Sequence, residues 1–214
     1  MFHTHKQNIQ NSRSGFTLIE MMVATFIFVV VVVALLDLFS LAQRAQRTAA
    51  SMENLQDNLR FSINRITDDV RDGGIDYAYY QAHPADIDPD SGAANILAVR
   101  SFDGTSLWFK KGDGTAGDCV DTETNPETKN CLLISDDDST WHSLTGDGVS
   151  VEYLKFYILP TVDPFEIDTD TGMYNAHQQP RVRIVVKGTG RVRQTDVKIP
   201  MFLQTLITTR EYRR

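Results

Sequence analysis

Two clusters of carboxylates have a spacing that suits the binding of a hard metal ion. The segment DIDPDSG places Asp86, Asp88 and Asp90 at alternate positions, and DPFEIDTDTG adds four more carboxylates between residues 163 and 170. Ca²⁺ prefers such oxygen ligands, and D-x-D-x-D opens the loop of an EF-hand. Both segments depart from that loop, because the glycine of the first comes one position late and Leu97 stands where a bidentate glutamate belongs. We expect solvated acidic loops, with Ca²⁺ at the first cluster as the alternative and no other cofactor.

Catalytic chemistry has little support in the sequence. It contains no G-x-S-x-G nucleophile elbow, no P-loop and no H-E-x-x-H zinc motif. The five histidines are scattered along the chain, at positions 3, 5, 83, 142 and 177. We therefore expect the protein not to be an enzyme.

A cluster of basic residues stands out because the chain as a whole is acidic, with a formal net charge of −7. The basic residues of this segment are Arg181, Arg183, Lys187, Arg191 and Arg193. A net acidic protein is a poor general binder of nucleic acid, although a local basic stripe can bind phosphates or an acidic neighbour. We expect an exposed, salt-bridged sheet face and no nucleic-acid binding; contact with another protein subunit and DNA binding are the alternatives.

The element that dominates the N-terminal region is an apolar run over residues 16–36. Its only strongly polar member is Glu20, and its length meets the roughly 20 residues that a helix needs to cross a membrane. A charge at that depth costs about 2.5–3.5 kcal/mol, so Glu20 needs a reason to be there. A cleaved secretory signal peptide is the alternative, because a basic leader precedes the run, but Glu20 and the imperfect cleavage site after Leu36 oppose it.

The helix is expected to continue beyond the apolar run, over residues 16–72. No glycine or proline interrupts this span, and the glycines at 73–74 are expected to end it. In its outer half, apolar residues fall three or four apart: Met52, Leu55, Leu59, Ile63, Ile66 and Val70. That spacing predicts an amphipathic helix packed under a globular head; a free amphipathic helix or a coiled coil is the alternative.

The head, residues 73–214, is expected to be rich in strands. Short apolar and β-branched runs are separated by turn signals, and FDG (102–104) and KGTG (187–190) predict hairpins. The run VSVEYLKFYIL carries apolar groups on both faces in its second half, which predicts a central strand. A helix followed by strands without alternation predicts an α+β fold with an antiparallel sheet.

The stretch GFTLIE, placed between a basic leader and a 20-residue apolar helix, resembles the type III signal of type IV prepilins and pseudopilins. The resemblance implies that residues 1–15 are a leader, that a prepilin peptidase cuts after Gly15, and that the new N-terminus, Phe16, is N-methylated. It also implies that Glu20 pairs with the N-terminal amine of a neighbouring subunit. In a low dielectric such a pair would fix the register of the filament; a tolerated polar residue that faces another helix is the alternative.

Finer resemblance points to particular members of the family. INRITDDVRDGGIDY and the closing VKIPMFLQTLITTREYRR resemble PilW-like minor pilins and the J-type minor pseudopilins of type II secretion systems. The resemblance implies a single-pass protein of the bacterial inner membrane, with its head outside the cytoplasm, that later enters a filament. The implied partners are prepilin peptidase, other pilin or pseudopilin subunits and the inner-membrane assembly platform. A major pilin and a membrane-anchored adhesin that never polymerises are the alternatives.

The compartment implied by the resemblance bears on Cys119 and Cys131, the only cysteines. Outside the cytoplasm two thiols usually pair, so we expect a disulfide. In the chain-entropy model it would stabilise the head by about 3 kcal/mol. Two free buried cysteines are the alternative; a metal site lacks both C-x-x-C spacing and a neighbouring histidine.

Overall fold

The computed structural model describes residues 15–101, 103–112, 119, 130–146, 148–175, 178–191 and 198–210. The chain begins with a long helix α1 (Leu18–Asp72), followed by a short helix α2 (Tyr77–Ala82) and a 3-10 turn (Pro84–Asp86). The strands are β1 (Gly74–Ile75), β2 (Ala93–Ala94), β3 (Ile96–Arg100), β4 (Ser106–Lys111), β5 (Leu132–Ser135), β6 (His142–Ser143), β7 (Val149–Leu159), β8 (Arg181–Arg191) and β9 (Lys198–Thr208). Every strand pair in the described part of the chain is antiparallel, which confirms the predicted α+β class.

Helix α1 contributes to two compact units, residues 1–46 and residues 47–214. It ends at Asp72, directly before the two glycines predicted to stop it. The backbone N–H of Gly73 still donates to the carbonyl of Asp69 at 3.0 Å, which completes the last turn. A residue with a side chain at position 73 would collide with the carbonyl oxygen of Arg100, so glycine lets the chain turn closely against β3.

The second unit contains two sheets where the sequence predicted one. The first has the strand order β1-β3-β4-β5-β6 and the second the order β2-β7-β8-β9. The FDG segment connects β3 to β4, as predicted, with Gly104 in the left-handed region at φ 87°. Strand β7 lies inside the second sheet between β2 and β8, which confirms the prediction of a central strand.

A β-bulge explains the irregular pattern of β7. Val151 pairs with Gly188 and Tyr153 with Lys187, so Glu152 is an extra residue between them. Before the bulge Val149 and Val151 are buried, whereas after it the buried side chains are at even positions, as in Phe156. The extra residue shifts the alternation by one. The strand therefore keeps one core face throughout.

The outer part of α1 packs against the second sheet. Leu55 and Leu59 are fully buried there, and a Cβ on Gly188 would lie 2.9 Å from a methyl carbon of Leu59. KGTG is therefore not a turn. It lies within β8, where glycine permits close approach of the helix, and the predicted hairpin at 187–190 was wrong.

The helical face predicted from the sequence is mostly confirmed. Its residues Leu55, Leu59, Ile66 and Val70 are buried, and Ile63 is partly buried against the core. Met52 was assigned to the same face but is 48% exposed. It lies only one turn before Leu55, at the end of the helix segment that packs on the sheet.

Candidate processing and assembly site

The start of α1 is organised by a threonine. Residues Gly15–Thr17 precede the helix, which begins at Leu18. The backbone N–H of Glu20 donates to Thr17 Oγ1 at 3.3 Å, and the N–H of Met21 donates to the carbonyl of Thr17 at 3.2 Å. Thr17 therefore caps the helix through its side chain, within the T-x-x-E sequence that is typical of a capping box. Sequence reasoning missed Thr17, although a threonine three residues before a glutamate at the start of an apolar run is a recognised signal.

Glu20 lies in the first turn of α1 and is exposed. The N-terminus of a helix carries a partial positive charge, so a carboxylate is stabilised there. Phe16, two residues before the helix, is 79% exposed. A positively charged N-terminus created at Phe16 and the carboxylate of Glu20 would therefore belong to the same helix end.

The apolar side chains of the first unit are exposed. In the described residues of that unit, all are exposed except Val32, which is half-buried. Among the helices of the described part of the chain, α1 is long and apolar enough to cross a membrane, by length and composition. Within a bilayer such side chains contact lipid, so their exposure is the expected state of a membrane helix.

Comparison with protein families identifies a known sequence motif at this end of the helix. Residues 10–36 match the family model described as the prokaryotic N-terminal methylation motif. The chain carries a prepilin-type signal. The match includes Gly15, Phe16 and Glu20, the residues predicted for processing and assembly. The prepilin-type signal marks the chain as a type IV pilin-like or pseudopilin-like substrate of prepilin peptidase, anchored in a membrane through α1.

The prepilin-type signal accounts for about an eighth of the sequence, and comparison assigns nothing to the rest. No curated protein matches the chain, and no solved structure matches it. The specific likeness to PilW-like and J-type subunits therefore stays a prediction.

The two cysteines form a disulfide, with their Cα atoms 5.6 Å apart. Cys119 and Cys131 are buried beside Leu133 and the partly buried Trp141, in a cluster separate from the main core. A Cβ on Gly112 would lie 2.5 Å from the sulfur of Cys119, so only glycine fits there. The disulfide was predicted from the compartment that the resemblance implies, and it is present.

The acidic clusters build two turns of the same design. In each, an aspartate carboxylate accepts from a backbone N–H two residues on, which is 3.0 Å away for Asp88 and 2.8 Å for Asp168. The carbonyl of the same aspartate accepts from a glycine four residues on, Gly92 or Gly172, at 2.8 Å in both turns. Both glycines have positive φ, 68° and 67°. The D-x-D-x-G pattern is thus a turn signal here.

Hydrogen bonds in these turns also favour the ionised form of the aspartates. The Ser91 hydroxyl lowers the pKa of Asp88 and the backbone N–H of Asp170 lowers the pKa of Asp168. Asp86 is held separately, because its carboxylate accepts from the Tyr79 hydroxyl at 2.8 Å. In the described part of the chain, no three His, Cys, Asp or Glu side chains come together as metal ligands would. Calcium at Asp86, Asp88 and Asp90 stays a prediction.

A G-x-G-x-x-G pattern, which sequence reasoning missed, runs over residues 112–117 at the end of β4. In dinucleotide-binding proteins the pattern connects a strand of a parallel sheet to a helix. Strand β4 instead pairs antiparallel with both β3 and β5. The residues at 113–118 lie outside the described part, and Gly112 packs on the disulfide, so the pattern gives no ground for a nucleotide site.

The basic residues lie mostly where they were predicted, on an exposed sheet face. Arg181 and Arg183 are exposed on β8, and Lys187 is half-buried and forms an ion pair with Glu152. Arg193 lies outside the described residues, as does the side chain of Arg191. The register also brings aromatic residues of β7 and β9 beside these cations. Sequence reasoning missed them, because pairing between distant strands is not visible in one segment.

Proposed function

We propose that the chain is a minor subunit of a type IV pilus or of a type II secretion pseudopilus, placed where the filament begins or at its tip. Prepilin peptidase cleaves after Gly15, and Phe16 becomes the methylated N-terminus. Helix α1 then leaves the lipid and packs among the helices of other subunits. The protein acts by assembly and not by catalysis.

The observation that carries this proposal is the combination of the prepilin-type signal with a helix whose apolar side chains are exposed. Glu20 begins that helix, and the apolar residues after it must be covered by lipid or by other helices. A subunit that passes from membrane to filament has both kinds of cover. The methylated amine of one subunit and Glu20 of the next would pair, because unpaired charges are costly in a low dielectric.

The minor role is supported by the end of α1 and by the closing strand of the head. The segment from Ile63 to Tyr77 and the closing strand resemble those of minor subunits. Helix α1 also has no proline near the end of its apolar run, where major pilins often have one. The disulfide supports a head outside the cytoplasm, since disulfides persist in oxidising compartments. If the protein were a major pilin, it would form most of the filament mass, which quantitative mass spectrometry of purified filaments measures.

The decisive experiment is the intact mass and N-terminal sequence of the chain co-expressed with a prepilin peptidase. We expect a chain that begins at Phe16 and carries one added methyl group. The variant Glu20→Gln should still be cleaved after Gly15 but should be lost from filaments. A chain that keeps Met1, or that starts beyond Leu36, would contradict the proposal. Display independent of the assembly ATPase would favour a membrane-anchored adhesin.

A further inference from the structure

The four sheet edges differ in length. Strands β1, β6 and β2, each of two residues, form three of them, whereas the fourth is β9, with 11 residues. Beside β1, the Tyr80 hydroxyl donates to the carbonyl of Ile96 at 3.0 Å and accepts from the N–H of Ala98 at 2.9 Å, so this side chain occupies part of the edge of β3 that β1 leaves uncovered. Among the described strands, none pairs with the outer side of β9. An open edge of this length is a template for another polypeptide strand.

The solvent face next to this edge includes two rows of similar composition across three strands, with Lys155, Val185 and Gln204 in the row between them. Tyr153, Lys187 and Phe202 form one row, and Tyr157, Arg183 and Leu206 form the other. We call these six residues the β9 face. Phe202 is 69% exposed and Leu206 is 59% exposed. Each row therefore ends at the open edge with an exposed apolar side chain.

The cations of the β9 face are held by ring contacts. The guanidinium of Arg183 lies 4.2 Å from the ring centroid of Tyr157, and the ammonium of Lys187 lies 5.5 Å from that of Phe202. Rings and an arginine held in this way supply binding energy with little loss of side-chain freedom. Tyrosine, phenylalanine and arginine are also the residues enriched at protein interfaces.

The charge of this region is opposite to that of the whole chain. Arg181, Lys155 and Lys198 add to the two cations of the β9 face, while Glu152 is the carboxylate paired there. The chain has a formal net charge of −7. A local positive field on an acidic protein favours an acidic partner through charge complementarity.

Three observations favour a polypeptide over a nucleic acid. Main-chain pairing along β9 is available only to another polypeptide. Leu206 gives a nucleic acid neither a stacking ring nor a charge. Glu152 and the overall negative charge repel a phosphate backbone.

We infer that the β9 face and the open edge of β9 are the docking site for an acidic extended segment of a different filament subunit. That segment adds a strand to β9, covers Phe202 and Leu206 with its apolar side chains, and sets its carboxylates near Arg183 and Lys187. The inference rests on the proposed function, because it takes the partner to be another subunit with a prepilin-type signal.

The test places a photo-crosslinking phenylalanine analogue at position 202 or 206 of the full-length chain, in cells that produce the complete filament system. Met173, which is 65% exposed in the loop before β8, serves as the control position. We expect crosslinks from 202 and 206, but not from 173, to an acidic peptide of another subunit with a prepilin-type signal. Arg183→Glu/Lys187→Glu should lower the yield by about tenfold or more, whereas Arg183→Lys/Lys187→Arg should retain it.

Other results would overturn the inference. These are equal crosslinking from position 173, no crosslink from 202 or 206, a nuclease-sensitive product, and a crosslink to a second copy of this chain. The last would join two cationic faces. Cleavage after Gly15 is measured in the same cells, so a correctly processed chain without crosslinks would remove the docking site and leave the proposed function standing. An unprocessed chain would instead contradict the proposed function.

Discussion

The two parts of α1 differ in how their apolar side chains are covered. From Leu18 to Gln46 the side chains are exposed, apart from the half-buried Val32. From Arg47 to Asp72 the same helix contributes Leu55, Leu59, Ile66 and Val70 to a core formed with the sheets. One uninterrupted helix therefore completes its apolar contacts partly within the chain and partly with other molecules.

The two parts of α1 should therefore affect different properties of the protein. Substitutions in the outer part of α1 (residues 47–72) should change the free energy of unfolding of the head. Substitutions in the inner part (residues 18–46) should change the fraction of the chain in the membrane and its assembly with other subunits.

The largest effect is expected for Leu59→Ala. Leu59 is 1% exposed and lies against Gly188, and truncation of a buried leucine costs about 2–5 kcal/mol through lost transfer free energy and a cavity. Phe61→Ala, at a residue 63% exposed on the same helix, is the matched control. Its effect should stay within about 0.5 kcal/mol. Chemical denaturation in detergent, followed by tryptophan fluorescence, measures both, and equal losses would contradict the division of α1.

Val30→Lys should have an effect of comparable size on the free energy of membrane insertion. A lysine at the middle of a membrane helix costs about 2.5–3.5 kcal/mol of insertion free energy, so the fraction of chain in the membrane should fall. The melting temperature of the head should not change, because Val30 is outside the head's core. Membrane fractionation and thermal unfolding are the two measurements, with Val30→Leu as the control. A drop in melting temperature would show that the inner part also stabilises the head.

Alkaline pH should lower the free energy of unfolding of the head. Burial raises the pKa of Tyr77 and of Tyr80, and the nearby Asp163 raises that of Tyr77 further. In the unfolded chain tyrosine ionises near pH 10, at about its ordinary pKa. Above that pH the unfolded state loses protons first, so the free energy of unfolding falls as pH rises. Denaturation at increasing pH should show this slope, and Tyr77→Phe/Tyr80→Phe should flatten it; an unchanged slope would contradict it.

The smallest effect is expected at the start of the helix. Thr17→Ala removes the acceptor for the N–H of Glu20, and loss of an N-cap costs about 1 kcal/mol. Amide hydrogen exchange in micelles should increase in the first turn, with the head unchanged. Thr25→Ala is the control, because the Thr25 hydroxyl donates to the carbonyl of Met21 within the helix and caps nothing. Equal protection in the two variants would argue against a capping role for Thr17.

Local features were the most predictable from sequence. The helix end at two glycines, the apolar face of the outer helix and the FDG hairpin depend on residues close in sequence, and all three are present. The signal at Gly15 is also local. What determines these features is helix propensity, periodicity and turn chemistry, which a single segment contains in full.

Features that depend on distant partners were harder to predict. Gly188 suggested a turn because glycine often marks turns and loops. In the structure it makes room for Leu59, which lies on a helix about 130 residues earlier in the chain. The D-x-D-x-G segments were expected to be solvated acidic loops with Ca²⁺ binding as the alternative, since a carboxylate that accepts from its own turn looks the same in sequence as one that binds a metal. The pairing of β7, β8 and β9, and so the β9 face, exists only once register is known.

The bulge at Glu152 has a consequence for insertions and deletions. Because one extra residue separates the two alternating halves of β7, deleting it would restore strict alternation along the strand. With the first half held in place by Val149 and Val151, Tyr153 and Tyr157 would stay on the solvent side, and Phe156 and Ile158 would stay in the core. A codon can therefore be lost at the bulge without exchanging the side of the strand that is inside the protein for the side that is presented to other molecules.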